Sequence, residues 1–339
     1  MTDMKLRYAD DPADAEAIRE AFDLFVGHPP SDALVAKLLA EEATLGSVEK
    51  SLLGKSREHQ RHGPVIATTD RAFYDQLILA VPPARLLFQP ISKVANTSIK
   101  DWIIRLSGHD APRDVHTALA DGRIKLQAGH LSRQQLDGLL REEGWLRVAI
   151  VRDPFDRLVS CYLDKFVRTR TQKGALGHTE PVYRHFSGGE AVRPEMLELG
   201  LTFRQFCHYI NIYPREIMDP HWAPQARFLE SYRFDVLFPM ERLGDFERFV
   251  LDRCPPELQD CRLGKMNAAP RAEEKPTELL VDTPPIMLDG RDRLPTAAFM
   301  ADDIVDFVRD YYALDYLLVE RARDMAAKLQ DDRLATQKV

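Results

Sequence analysis

The chain has no long apolar run. No window approaches the roughly 18 uncharged apolar residues that a membrane-spanning helix needs. Its opening, MTDMKLRYADDPADAEAIREAF, is acidic and lacks an apolar core, so neither a secretory leader nor an N-terminal anchor is read there. Cysteine is scarce. The four are Cys161, Cys207, Cys254 and Cys261, none in a C-x-x-C pair; this argues against a zinc site and predicts reduced, partly buried thiols. Positive charge is not in excess either. A net charge of -7 disfavours a nucleic-acid binder that works by bulk charge, so any polyanion must meet a local basic cluster. Internal repeats and low-complexity tracts are absent. Together these absences predict a soluble, cytoplasmic protein.

What is present is an alternation of strand and helix signals. The 339 residues, 45% hydrophobic, suffice for one large domain or two small ones. Residues 1–80 read as a helical N-terminal extension, with AEAIREAFDLFV and SDALVAKLLAEEA at helical spacing and Ser31 as an N-cap. Residues 81–330 read as an α/β domain. Strands are expected in VPPARLLFQPI, DGRIKLQAGHLS, GWLRVAIVRDP and RFDVLFPME. Helices are expected in TSIKDWIIRLSG, SRQQLDGLLREE, PFDRLVSCYLDKFVRT, LTFRQFCHYI (capped by Thr202), LGDFERFVLDRC and the C-terminal ADDIVDFVRDYYALDYLLVERARDMAAKL. Residues 262–297 look like an extended loop. Such alternation implies a P-loop-like central parallel sheet flanked by helices, with ligands at the carboxyl ends of its strands.

The first chemical signal is LLFQPISKVANTSIK, residues 86–100. A strand runs through a small-residue loop into a helix. A helix N-terminus presents unsatisfied N–H groups and the positive end of its dipole, which suits an anion. Ala95 and Asn96 are small enough to let backbone approach a ligand. Thr97 and Ser98 can cap the helix, bond phosphate oxygens, or both. Lys93 supplies a mobile positive charge. The loop has no glycine and no adjacent lysine–hydroxyl pair, so it is not a Walker A loop, and a magnesium-dependent kinase or NTPase is disfavoured. Asn96-Thr97-Ser98 also matches a glycosylation sequon, discounted inside an anion loop without a secretory signal.

The second signal is RVAIVRDPFDRLVSCYLDKF, residues 147–166. A buried strand delivers Arg152 to its carboxyl end, Pro154 starts a helix, and Ser160 lies two turns along it. An arginine fork and a hydroxyl can grip one phosphate from two sides.

This pair of motifs resembles the PAPS-dependent sulfotransferases, in particular the carbohydrate sulfotransferases of the Golgi and their bacterial relatives. In that family P-K-x-x-x-T-S binds the 5′-phosphosulfate of PAPS (3′-phosphoadenosine 5′-phosphosulfate), and R-[DH]-P-F-x-R-L-V-S-x-Y-x-D-K-F binds the 3′-phosphate. Lys93, Thr97 and Ser98 match the first. Arg152, Pro154, Phe155, Arg157, Leu158, Val159, Ser160, Tyr162, Asp164, Lys165 and Phe166 match the second. Ser92 stands where the family has proline. DPHWAPQ (219–225), FDVLFPMERL (234–243), KMNAAP (265–270) and DFVRDYYALDYLL (306–318) resemble further family segments.

The resemblance implies transfer of a sulfuryl group from PAPS to a carbohydrate or glycoconjugate hydroxyl, with PAP released and no metal. Lys93 would stabilise the leaving phosphate, and Ser98, Thr97 and the loop N–H groups would hold the 5′-phosphate. Arg152 and Ser160 would hold the 3′-phosphate, with Lys265 and Asn267 closing over the nucleotide. A general base is also needed. His130, in a Gly-His turn that resembles one in uronyl 2-O-sulfotransferases, is the first choice, and His221 is the second. The basic run Lys165, Arg168, Arg170, Lys173 is read either as a solvated face or as a surface for an acidic acceptor. The first 80 residues are expected to dimerise or to cover the acceptor site. The expected setting is a bacterial cytoplasm. Competing readings are a small-molecule or lipid acceptor, a P-loop kinase-like phosphotransferase, and a PAP-binding scaffold.

Overall fold

The computed structural model describes residues 12–26, 29–44, 47–48, 52, 71–131, 139, 144–213, 218–230, 234–264, 278–291 and 294–336. The expected helix over 132–143 lies outside these, apart from residue 139, as do Lys265 and Asn267. Two compact units emerge. The first comprises Met1–Arg152, Pro224–Asn267 and Leu314–Val339, and the second Asp153–Ala223 and Ala268–Ala313.

The first unit holds a mixed sheet of four strands in the order β1 (Leu79–Val81), β2 (Leu86–Gln89), β3 (Leu146–Val151), β4 (Val236–Pro239). β2, β3 and β4 are parallel, with Phe88 opposite Val148 and Ala149 opposite Leu237. β1 joins antiparallel at the edge. Of the strand expected in VPPARLLFQPI, residues 81–91, only Leu86–Gln89 forms as β2, while β1 ends at its first residue, Val81. Pro82 and Pro83 lack N–H donors and fix φ, so the run breaks into a 3₁₀ turn, and Arg85 at φ 50° turns it back. β3, LRVAIV, is buried at every position, as an interior strand covered on both faces must be. The helix Asn96–Leu106 buries Ile99, Trp102, Ile103 and Leu106 in the same core as the sheet. Trp102, Phe88 and Phe238 all pack around Phe246, at ring separations of 5.9, 5.5 and 5.6 Å.

One expected strand does not form. GRIKLQAGH is a series of turns that meets the sheet edge only through an isolated bridge, Leu79 to Gln127. Ala80 N–H donates to the Leu126 carbonyl and Ala128 N–H to the Ile78 carbonyl, and pairing stops there. Gly122 at φ 75° bends the chain at the start of the segment, and a 3₁₀ turn over Ala128–His130 ends it. The N-terminal helices Ala15–Val26 and Asp32–Ala40 do form, and Ser31 Oγ accepts from Leu34 N–H as the expected cap.

The second unit is helical around an aromatic cluster. Pro154 opens the helix Pro154–Tyr162, and Asp153 caps it by accepting from Asp156 N–H at 3.0 Å. The expected long helix does not stay α-helical. Residues Leu163–Arg168 wind as a π-helix, a geometry that often marks functional sites. Phe203 and Phe206, on a helix that Thr202 and Gln205 close with a capping box, pack against Tyr162 and Phe166.

Candidate active site

Two neighbouring parallel strands, β2 and β3, end side by side, and each delivers one expected ligand group at its carboxyl end. After β2 the chain turns through Lys93 at φ 67° and Ala95 at φ 49°. Both are left-handed conformations that L-residues with a Cβ avoid, at a cost of about 1–2 kcal/mol each. This is where a glycine-rich loop would place glycines. Alternation of left- and right-handed residues turns successive N–H groups toward one point, an anion-binding nest. The helix starts at Asn96, one residue earlier than expected, with Ala95 as its N-cap and no side chain capping it. Thr97 and Ser98 therefore lie in the first turn and do not cap it. The buried amide oxygen of Asn96 has no protein partner.

Arg152, just beyond β3, donates from Nη1 to the Lys93 carbonyl at 3.2 Å. Its guanidinium thus meets the loop backbone. Gln225 anchors the Arg152 backbone from both sides: Oε1 accepts Arg152 N–H at 2.9 Å, and Nε2 donates to the Arg152 carbonyl at 2.7 Å. Gln225 is held in turn by the buried Asp315, whose carboxylate accepts Gln225 N–H at 2.8 Å and Ala226 N–H at 2.9 Å. The DPHWAPQ and DYYALDYLL segments, which matched only as sequence patterns, here supply the support for Arg152.

Thr97 Oγ1 lies 3.0 Å from Nε2 of His116, and Lys100 Nζ lies 3.3 Å from Nδ1 of the same ring. Sequence reasoning missed both partners. His116 carried no motif, and Lys100 read as an ordinary helix lysine, yet it is buried.

The expected bases fare differently. In the first unit, His130 Nε2 donates to the Leu119 carbonyl at 2.7 Å, so that nitrogen carries the proton. Its Nδ1 lies 3.1 Å from where a Cβ on Gly122 would stand. The ring closes the end of the helix Val115–Ala120, and it does not follow a strand.

In the second unit, Asp219 Oδ1 accepts from His221 Nδ1 and Asp219 Oδ2 from His178 Nδ1, both at 2.7 Å. His221 N–H also donates to Oδ1 at 2.8 Å. Burial alone would raise the Asp219 carboxyl, but the hydrogen bonds from His178 and His221 outweigh it and hold the group well below the usual carboxylate range. Burial lowers the His221 pKa, against the opposing pull of Asp219. With Nδ1–H bound to the carboxylate, Nε2 of His221 carries the lone pair, the tautomer a general base requires. The donor atoms of His178, Asp219 and His221 lie within 4.8 Å of one another, a grouping that would also accept a metal ion. Neither Asp219 nor His178 was singled out in sequence; His178 sits 41 positions before Asp219, on the helix Lys173–Phe186.

Arg157 is buried and donates to the carbonyls of Ala223 and Pro220 at 2.7 and 3.1 Å, so it fastens the segment that carries His221. Tyr312 adds a hydroxyl bond to the Trp222 carbonyl at 2.7 Å. Ser160 lies on the helix Pro154–Tyr162, half-buried. The basic run is not a uniform surface. Arg170 is buried, donates to the carbonyls of Glu198 and Val167, and pairs with Asp289 at 2.9 Å, so it serves packing and not an acceptor.

Residues 77–318 match the family described as "Sulfotransferase family". Carbohydrate sulfotransferase 10 of Xenopus laevis is 31% identical over 187 residues, covering 49% of this chain and 50% of that protein. Carbohydrate sulfotransferase 14 of Mus musculus is 28% identical over 123 residues, covering 35% of this chain and 32% of that protein. The chain thus spans half or less of the length of these relatives. No solved structure matches it. The match spans more than half of the chain and includes both sequence motifs, so the chain belongs to the sulfotransferase family.

Proposed function

We propose that this chain is a PAPS-dependent sulfotransferase that moves a sulfuryl group to a hydroxyl of a carbohydrate or glycoconjugate and releases PAP. One observation carries the reading: an uncapped helix N-terminus follows a loop with two left-handed residues, Lys93 and Ala95, and Arg152 is bonded to that loop. The relatives named carbohydrate sulfotransferases support the acceptor class.

Sulfuryl transfer asks a protein for position and fixed positive charge, much as phosphoryl transfer does. Lys93 is assigned to the leaving phosphate, where charge builds as the sulfur–oxygen bond breaks. The N–H groups of the loop and first turn, around Ala95 and Asn96, take the 5′-phosphate with Thr97 and Ser98. Arg152 takes the 3′-phosphate, and Ser160 is assigned to it from its motif. His221 is the base: Nε2 accepts the acceptor hydroxyl's proton while Asp219 stabilises the resulting imidazolium. His130 is second, because its Nε2 is already a donor to Leu119.

Calorimetry of the full chain with PAP and with ATP tests the reading, followed by a glycan screen with labelled PAPS. Tight PAP binding and label transfer to a sugar hydroxyl are expected. Tight ATP binding with none for PAP would favour a phosphotransferase, and transfer confined to non-sugar hydroxyls would move the acceptor to a small molecule or lipid.

A further inference from the structure

Thr97 has one hydroxyl proton, and what it does depends on its neighbours. Its Oγ1 lies 3.0 Å from His116 Nε2 and makes no other hydrogen bond among the described residues. Nδ1 of the same ring lies 3.3 Å from Lys100 Nζ.

Donor and acceptor counting sets the direction. An ammonium group has three donors and no lone pair. Lys100 must therefore donate, and His116 Nδ1 must accept. A neutral imidazole that accepts at Nδ1 carries its proton on Nε2. An imidazolium has no lone pair and cannot accept at all, so the ring that accepts from Lys100 is the neutral form. Nε2–H then donates to Thr97 Oγ1, and the Thr97 proton is left to point elsewhere. In the opposite tautomer the hydroxyl would donate to His116 and be lost to any anion. Burial pushes the Lys100 pKa down to about 8, so at neutral pH most of it is still charged and the direction holds.

We propose that Lys100 and His116 are positioning residues that fix the Thr97 hydroxyl as a donor to the 5′-phosphosulfate of the nucleotide, an inference that rests on the sulfotransferase reading above. Lys100 does not reach the anion in this arrangement. Its charge acts through a ring and a hydroxyl, and its burial keeps solvent from competing for the His116 contact.

The test is calorimetry on the full chain with PAP and with adenosine 3′-phosphate, which lacks the 5′-phosphate. The variants are His116→Ala, His116→Gln, Thr97→Ala and the double variant His116→Ala with Thr97→Ala. His116 is exposed, so its replacement leaves the core intact. His116→Ala and Thr97→Ala are each expected to weaken PAP by about tenfold, the size of one hydrogen bond to a charged group. The double variant is expected to lose no more than either single one. Adenosine 3′-phosphate is expected to bind all four alike. His116→Gln, whose amide can accept from Lys100 and donate to Thr97, is expected to recover most of the affinity. Additive losses in the double variant, equal losses for adenosine 3′-phosphate, or unchanged PAP binding in His116→Ala would each overturn the relay while leaving the enzyme reading intact. A wild-type chain that binds no PAP overturns the enzyme reading, and the relay with it.

Discussion

Lys93 combines a left-handed backbone at φ 67° with the charge assigned to the leaving phosphate. These two properties separate by mutation. Lys93→Gly relieves the backbone strain and is expected to raise stability by up to about 1 kcal/mol while lowering turnover by about 100-fold. Ala95→Gly relieves strain without removing charge, so thermal melting is expected to rise with PAP affinity kept. Both are read from melting curves and labelled-sulfate transfer. If neither variant melts higher, the loop is not strained. Lys100 gives a second residue-scale test. Its pKa is lowered to about 8 by burial, whereas the unfolded chain protonates near 10.5. Between those pH values the unfolded state binds more protons, so stability rises with pH across that window and the full penalty stands below it. Lys100→Met is therefore expected to be more stable than wild type near pH 7, by roughly 2–3 kcal/mol. The gap should close as pH rises from about 8 to 10.5. His221 yields a kinetic counterpart. Burial holds its pKa below the ordinary 6.5, so the neutral base persists to lower pH. The acid limb of kcat/KM is expected below pH 6.5, and to vanish with the residual activity of His221→Ala. An acid limb centred above 6.5 would point to a different base.

At the scale of elements, the buried polar contacts decide where the motif segments go. Arg157 holds two carbonyls of the segment 220–223, and Asp315 holds two N–H groups of the turn that begins at Gln225. Removing one partner of a buried charged contact strands the others, at about 3 kcal/mol or more. Asp315→Ala is expected to lose that much in denaturant titration and to weaken PAP as well, because Gln225 then no longer fixes the Arg152 backbone. A stability loss with unchanged PAP affinity would detach Asp315 from the site. The helix Pro194–Leu199 ends at Gly200, where φ is 76° and an added Cβ would stand 2.5 Å from Pro285 Cγ. Gly200→Ala is expected to cost at least about 2 kcal/mol. The elements most legible in sequence were those with a strong local cause: Ser31 and Thr202 as caps, Pro154 as a helix start, and the apolar run of β3. GRIKLQAGH misled because its alternation resembles a strand, whereas a strand also needs a partner edge. Here one bridge residue is all that pairs.

At the scale of the whole molecule, the four cysteines form no disulfide, so reductant is expected to leave the melting temperature unchanged. No described helix is long and apolar enough to cross a membrane. A chelator separates the two uses that His178, Asp219 and His221 allow. Undiminished sulfate transfer in excess EDTA is expected for the Asp–His base, whereas loss restored by a divalent cation would assign the cluster to a metal. The sequence by itself determined the strand–loop–helix order and the two motifs that resemble the sulfotransferases, and hence the family, because these depend on residues close together in the chain. Tertiary structure alone decided that the loop after β2 turns through the left-handed non-glycine residues Lys93 and Ala95 and that Gln225 and Asp315 brace Arg152. It also decided that the His116 ring reaches both Thr97 and Lys100, and that His221 shares its carboxylate with His178. Each of those contacts joins residues 16 to 90 positions apart or a backbone angle to its surroundings, and folding is the step that brings such groups within hydrogen-bond reach.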